Sequence, residues 1–300
     1  MLIKKTAMMV IMLAISGSTV ADLNTGLVAR WTFDNCDGKD VTGRGHGGVL
    51  YGSSTTCVPS PGNNNAFLFN GIDSYFRINP SPDFSVGTQV SYAAWVKPTR
   101  LPDSGHYTVL FNKLVGGYED KWLGIFNGKA FFYLFDCMNR RTLNSTIDLP
   151  INKWTYIVAT YDGTAARLYI NGALNISVAT QPQCNVNDST GYVYLGDAPN
   201  RRAEPPPAAT PLDGAMDDMR VYNRALSSSE VQQLYFQVVP PKISGTAPWV
   251  TPHTITCKNM TTNKQITIPA TSASAWNCEA AGLQFKSGDT VKVIIDGKKY

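Results

Sequence analysis

The chain is written in short runs of aromatic and β-branched residues, and nearly every run is stopped by Gly, Pro, Asn or Asp. Runs of this length and composition suit half-buried strands, so the pattern predicts an all-β sandwich. Strands are expected at Leu27–Asp34, Ala66–Asn70, Tyr75–Asn79, Val90–Lys97, Thr108–Asn112 and Ala130–Phe135, and again at Thr155–Tyr161, Arg167–Ile170 and Tyr192–Leu195. The pairs Asp162-Gly163 and Asn171-Gly172 flank one of these runs. Both suit hairpin turns that need positive φ. One helix is expected: Ser227-Ser-Ser-Glu230 reads as a capping box, and Val231, Leu234 and Tyr235 mark one face.

The N-terminus has a different grammar. Lys4 and Lys5 precede an apolar run from Ala7 to Ile15, then small residues, with Thr19 and Ala21 at the −3 and −1 positions before Asp22. This order predicts a secretory signal peptide over residues 1–21. The run is too short for a spanning helix, which needs about 20 apolar residues. Removing the segment lowers the formal charge from +4 to +2. A near-neutral surface argues against nucleic acid as a partner, and no membrane insertion is expected. The expected location is secreted, periplasmic or extracellular.

Six cysteines follow: Cys36, Cys57, Cys137, Cys184, Cys257 and Cys278. An even number in an exported chain predicts disulfides, with sequential pairing the simplest of the possible connectivities. Zinc is disfavoured, because there is no C-x-x-C and the three histidines, His46, His106 and His253, are scattered. Val239-Pro240-Pro241 breaks the pattern and marks an expected boundary. Residues 22–239 then form one domain and 240–300 a small β domain stapled by Cys257 and Cys278. Pro205-Pro206-Pro207 predicts an extended, exposed loop.

Several segments resemble the laminin G-like, concanavalin A-like jelly-roll domains. Gly26-Leu-Val-Ala-Arg-Trp-Thr-Phe-Asp34 is similar to their opening strand, and Ala66-Phe-Leu-Phe-Asn-Gly-Ile-Asp-Ser-Tyr75 to their second strand pair. Val90-Ser-Tyr-Ala-Ala-Trp-Val-Lys-Pro98 resembles the central strand. Trp154 to Gly163, followed by Leu168 to Gly172, resembles the long hairpin, and Leu212 to Leu226 the closing strand and turn. The resemblance covers residues 26–236. It implies two antiparallel sheets packed face to face, and relatives that include lectins, pentraxins and some glycoside hydrolases. Many such domains hold Ca²⁺ at the sandwich rim. Carried over, the ligands are Asn70, Asp73, Asp217 and Asp218 with carbonyls near Gly71. Asp34, ending the first strand, is expected to reach the same rim. The family's usual Asp stands as Asn at position 70, which removes a charge.

Catalysis is not expected. Glycosidases of this sandwich type use paired carboxylates about 5 Å apart. This chain has only four Glu, Glu119, Glu204, Glu230 and Glu279, with no two close in sequence, and Glu230 is assigned to the helix cap. Asp217-Asp218 are adjacent, and strict strand alternation places them on opposite faces. There is no G-x-S-x-G, and His46 sits in the turn-like Gly43-Arg-Gly-His-Gly-Gly48. Trp31, Trp95, Trp154, Phe131, Phe132 and Tyr133 read as packing residues, and Trp249 and Trp276 as packing on the second domain's disulfide. Tyr107, Tyr118 and Trp122 are the candidates for a loop or rim surface that binds a ligand, although core packing is the favoured reading for them too. The function expected is non-catalytic recognition of a glycan or a surface protein, ordered by Ca²⁺. A structural or adhesive domain is the second reading and a glycoside hydrolase-like enzyme the third. Oligomeric state is not legible.

Overall fold

The structure is a computed structural model that describes residues 9–14, 22–54, 56–62, 64–85, 88–115, 118–136, 139–180, 191–199, 209–239, 244–246, 253–270, 275–278, 281–283 and 290–297. In chain order the elements are β1 (Met9–Ala14), β2 (Leu27–Trp31), β3 (Gly48–Tyr51), β4 (Cys57–Pro59), β5 (Asn65–Asn70), β6 (Tyr75–Ile78), β7 (Val90–Pro98), β8 (Tyr107–Val115), β9 (Tyr118–Phe126), β10 (Lys129–Asp136) and β11 (Asn139–Asp148). They continue as β12 (Thr155–Tyr161), β13 (Ala165–Ile170), β14 (Ala173–Ala179), β15 (Val193–Leu195), β16 (Ala209–Thr210), β17 (Asp213–Tyr222), α1 (Ser228–Val238), β18 (Ser244–Thr246), β19 (His253–Asn259), β20 (Gln265–Ala270), β21 (Ala275–Asn277) and β22 (Thr290–Gly297).

Residues 23–234 form one unit, an all-β jelly-roll sandwich. Its first sheet runs β14-β13-β12-β7-β17-β5-β4, with β2 also on β17. Its second runs β11-β10-β9-β8-β15-β6-β3, with the short β16 alongside β8. Strand alternation explains the core. In β10 the residues Ala130, Phe132 and Leu134 join the inter-sheet cluster. In β7 the inward set is Tyr92, Ala94 and Val96, and in β6 it is Phe76 and Ile78. Trp31, Phe33, Phe67 and Phe69 are almost wholly buried there. Apolar burial on this scale, at about 25 cal/mol per Å², is the main force holding the sheets together.

The turns match their residues. Asn171 and Gly172 have φ of 51° and 80°, which makes the β13–β14 connection a two-residue hairpin. Asp162 Oδ1 accepts the N–H groups of Thr164 and Ala165 and so folds the β12–β13 turn. The capping box is present: Ser227 N–H donates to Glu230 Oε2, and Glu230 N–H donates to Ser227 Oγ. Cys36 and Cys57 form a disulfide that ties the segment after β2 to β4. Trp31 and Phe132 are in the core as expected. Trp95 is not: it points away from the core and packs against Tyr156 at 4.9 Å. Trp154 is half-buried with Lys97 Nζ 5.8 Å over its ring.

Residues 1–22 and 235–300 form the other unit. Its sheet runs β1-β22-β19-β20, and β18 pairs with β21. Cys257 and Cys278 are bonded, with Cα atoms 6.0 Å apart, and both are buried with Ile255, Leu283 and Val293. Part of the apolar N-terminal segment, Met9–Ala14, is strand β1. Met9 to Ala14 pair in register with Ile295 to Thr290. A six-residue run with branched side chains is a good partner for an open strand edge. The expected Cys137–Cys184 bridge, the Pro205–Pro207 loop, Pro240-Pro241 and Trp249 lie outside the described residues.

Gly196 tests the closeness of the two sheets. It follows β15 with φ of 84°, and a Cβ there would sit 2.2 Å from the Phe69 ring of the opposite sheet. Gly196→Ala is expected to destabilise the sandwich by more than about 2 kcal/mol, combining backbone strain with a clash in the core. Urea unfolding of the two proteins measures this, and a change within about 0.5 kcal/mol would contradict the packing described.

Candidate functional site

The residues expected to hold calcium do not meet at one point. Asp213 is the register partner of Asn70. Asn70 is therefore four residues along β17 from Asp217, about 13 Å at the usual strand rise. Around Asn70 the side chains serve the hairpin itself. Asn70 Oδ1 accepts the N–H groups of Ile72, Asp73 and Ser74 and the Ser74 hydroxyl. Asn70 Nδ2 donates to Asp73 Oδ1 at 2.6 Å. Gly71 turns the chain there with φ of 68°.

Asp217 and Asp218 sit at an interruption in β17. The register with β7 shifts between Asp217 and Arg220, and Asp218 has φ of 48°. This bulge corrects the expectation of opposite faces. Met216 and Met219 both point into the core, and the two aspartates between them point away from it. Asp218 is bound by two arginines. Arg220 donates to it from Nη2 at 2.6 Å, and Arg30 from Nε at 2.7 Å. Burial alone would raise the Asp218 carboxyl, but the charges and hydrogen bonds of Arg220 and Arg30 hold it below the usual carboxylate value. Those two guanidinium groups leave it a poor metal ligand.

Asp217 has the opposite environment. Its Oδ2 accepts the Ser60 hydroxyl and its Oδ1 accepts the N–H of Asp218. Burial, with the negative charges of Asp218 and Asp34 added, raises its carboxyl to about 7 despite those bonds. Asp34 itself accepts Asn64 Nδ2 at 2.6 Å. Among the described residues, no group of three His, Cys, Asp or Glu converges as a metal site.

The ligand candidates fall elsewhere. Tyr107 and Trp122 are strand residues, 6% and 4% exposed, rather than loop residues. They form a second buried cluster with Val109, Phe131, Tyr133, Ala198 and Ala209. Phe131 and Tyr133 alternate with the core residues of β10, so this cluster lies on the second sheet's outer face. Tyr118 begins β9, and its side chain is outside the described set.

The same outer face continues across the sheet. Register partners share a face, and here they run Arg77, Tyr194, Asn112, Trp122 and Tyr133. Beside this row Tyr51 and Tyr75 stack at 5.1 Å with 4° between their planes. Arg77 Cζ lies 4.6 Å from the Tyr51 ring and 4.7 Å from the Tyr192 ring. Tyr192 is 40% exposed, so one side of the group meets solvent. Further along the same row Asn112 is fully buried, and among the described residues neither its amide nitrogen nor its amide oxygen has a hydrogen-bond partner. Arg77 Nε and Trp122 Nε1 are likewise unpaired. Buried polar groups are normally satisfied, so a run of exceptions on one face is a chemical feature of that face. The period of two revealed these strands. It did not reveal which of their aromatics would face outward.

The chain matches the family model described as the concanavalin A-like lectin/glucanases superfamily over residues 70–232. No curated protein matches the sequence. Among solved structures it is similar to domain 4 of AbnA, a GH43 extracellular arabinanase from Geobacillus stearothermophilus, in complex with arabinotriose. That likeness has a TM-score of 0.53 and 23% identity over 70% of this chain and 98% of the other. It is also similar to the binding domain of Paraclostridial Mosquitocidal Protein 1, with a TM-score of 0.59 and 14% identity over 83% of this chain and 65% of the other. A structure of botulinum neurotoxin type C, whose cell entry depends on two ganglioside molecules, aligns with a TM-score of 0.56 and 11% identity over 79% of this chain and 58% of the other. At these identities the likeness is one of fold. The family match spans more than half of the length, and the chain belongs to the concanavalin A-like lectin/glucanases superfamily.

Proposed function

We propose that this protein is a secreted, non-catalytic recognition module that binds a glycan on the outer face of the second sheet. The observation that carries the reading is the Tyr51–Tyr75–Arg77–Tyr192 group on that face, with Tyr192 open to solvent. Sugar rings offer apolar faces that stack on aromatic rings, and hydroxyls that both donate and accept. The arabinotriose complex of the AbnA domain and the gangliosides of the botulinum neurotoxin support a glycan as the ligand class. The leader-like N-terminus and the two disulfides support export. Glu230, the one Glu whose side chain is described, is engaged with Ser227 and Arg224 and has no catalytic setting.

Calcium enters this reading in a narrower form. Of the six residues expected, Asp34 and Asp217 are the pair whose chemistry fits a cation, with Ser60 beside them. A buried carboxylate whose proton affinity is raised by neighbouring negative charge gains from a divalent ion, which takes carboxylate and hydroxyl oxygens. A bound Ca²⁺ would neutralise the pair and brace the segment from Ser60 to Asn65.

Three outcomes test these statements. A glycan array is expected to give binding that Tyr75→Ala removes; an array with no hits would end the glycan reading. Asn112→Leu is expected to keep the same binding while the melting temperature holds or rises, because it replaces an unsatisfied buried amide with an apolar group. Loss of both binding and stability would make Asn112 a structural residue. The third concerns Asp217. Its folded carboxyl lies above the unfolded value, so its contribution to stability is complete below about pH 4 and is lost as pH rises towards 7. In EDTA, Asp217→Asn is therefore expected to raise the melting temperature over wild type more at about pH 8 than at about pH 5. Added Ca²⁺ is expected to stabilise the wild type and not this variant. An equal response to Ca²⁺ in both would remove the metal from this pair.

A further inference from the structure

On the other side of the sandwich a cleft of about 260 Å³ is lined by Asn24, Leu27, Arg30, Val41, Thr42 and Arg44. Its floor is β2 and its wall is the turn from Val41 to Arg44. The wall is built by one carboxylate. Asp40 is buried and accepts the N–H groups of Arg30, Thr42 and His46, together with the Thr42 hydroxyl. These bonds fold the turn tightly and place Arg44 across from Arg30.

The charges in the cleft do not cancel. Asp40 spends its oxygens on the turn and Asp218 spends its oxygens on Arg220 and Arg30. With Asp40 and Asp218 both ionised, two carboxylates face the three guanidinium groups of Arg30, Arg44 and Arg220, which leaves a unit of positive charge on the assembly. Arg220 is the buried member, with its side chain 6% exposed, and Arg30 is the open one at 36%. Only Nε of Arg30 is used by Asp218, so its two terminal nitrogens have no partner among the described residues. Among the described residues Arg44 has a bond only through its backbone N–H, to Thr42 Oγ1. Arg30 is also anchored, because its Nε bond to Asp218 fixes the plane of the guanidinium.

We propose that this cleft binds an oxyanion, and that the oxyanion is the carboxylate or sulfate of an acidic sugar. The guanidinium of Arg30, fixed by Asp218, and that of exposed Arg44 offer N–H donors that match the planar or tetrahedral oxygens of such a group. The cleft accepts the charged group and a few flanking atoms, so the rest of the sugar lies outside it. This site is separate from the tyrosine face and does not depend on it.

The test is an NMR titration of the isotope-labelled protein at constant ionic strength with D-glucuronate, glucose 6-sulfate, sodium sulfate and D-glucose. Both acidic sugars are expected to shift the amide resonances of Arg30, Val41, Thr42 and Arg44 saturably, and more tightly than sulfate, while glucose leaves them in place. Arg44 is exposed, so Arg44→Gln is expected to keep the wild-type melting temperature and weaken binding by about tenfold, as loss of a charge-assisted contact does. Arg44→Lys is expected to retain part of the affinity. Shifts of equal size with glucose, absence of any shift, or unchanged affinity in Arg44→Gln would overturn the site. Sulfate binding as tightly as both sugars would leave a simple ion site and overturn the sugar assignment. Resonances of Tyr75 and Tyr192 report the tyrosine face separately, so failure there and failure here are distinguishable.

Discussion

The sandwich is organised around one buried charge. Asp218 sits where β17 changes partners, from β5 at residues 213–216 to β2 at residues 219–222. A strand that changes neighbours needs an irregular point, and the bulge at Asp218 supplies it. The bulge carries a carboxylate that must be neutralised, because an unpaired buried charge costs several kcal/mol. Arg220 and Arg30 do this from the two strands that meet there, so the ion network ties β2 to β17 at the point where hydrogen bonding is interrupted. Truncating one partner would strand the other, at about 3–5 kcal/mol for a buried pair.

The strand pattern, the hairpin at Asn171-Gly172, the capping box at Ser227 and two of the disulfides were legible in the sequence, because each is a local rule. A period of two, a dipeptide needing positive φ and a serine three residues before a glutamate all act within a few positions. The rim was not legible. Whether Asn70 meets Asp217 depends on the register between β5 and β17, which sets Asn70 against Asp213. The bulge was equally hidden, since Met-Asp-Asp-Met reads as alternation until the extra residue is known. Trp122 and Tyr107 are buried, in line with core packing rather than a ligand surface, while Tyr51, Tyr75 and Tyr192 meet the solvent side of the second sheet. Periodicity tells which residues share a face and not which face is covered.

The two faces of the second sheet use aromatics differently. On the inner face Phe76, Phe111 and Phe132 contact other apolar rings and carry no polar atoms. On the outer face the rings are mostly Tyr and Trp, interleaved with Arg77 and Asn112. A layer meant only to pack would gain from Phe and Leu, because every unpaired polar atom it buries costs about 1–3 kcal/mol. The outer face carries four such atoms in neighbouring strands. Those atoms are a standing cost to the fold, as are the similar atoms of Trp95, Tyr156 and Tyr222 on the first sheet.

The bulge also accounts for the charge imbalance on either side of it. Asp217 is drawn into a buried position by its place beside Asp218, yet both arginines are aimed at Asp218. The carboxylate left over gathers with Asp34 and holds a proton near neutrality, whereas the guanidinium left over, Arg30, opens into the cleft with Arg44. A single irregular residue in one strand thus leaves Asp217 beside the charge of Asp34 and opens Arg30 into the cleft. Neither could arise from a regular β17, in which alternation would send Asp217 and Asp218 to opposite faces and leave each to find its own partner.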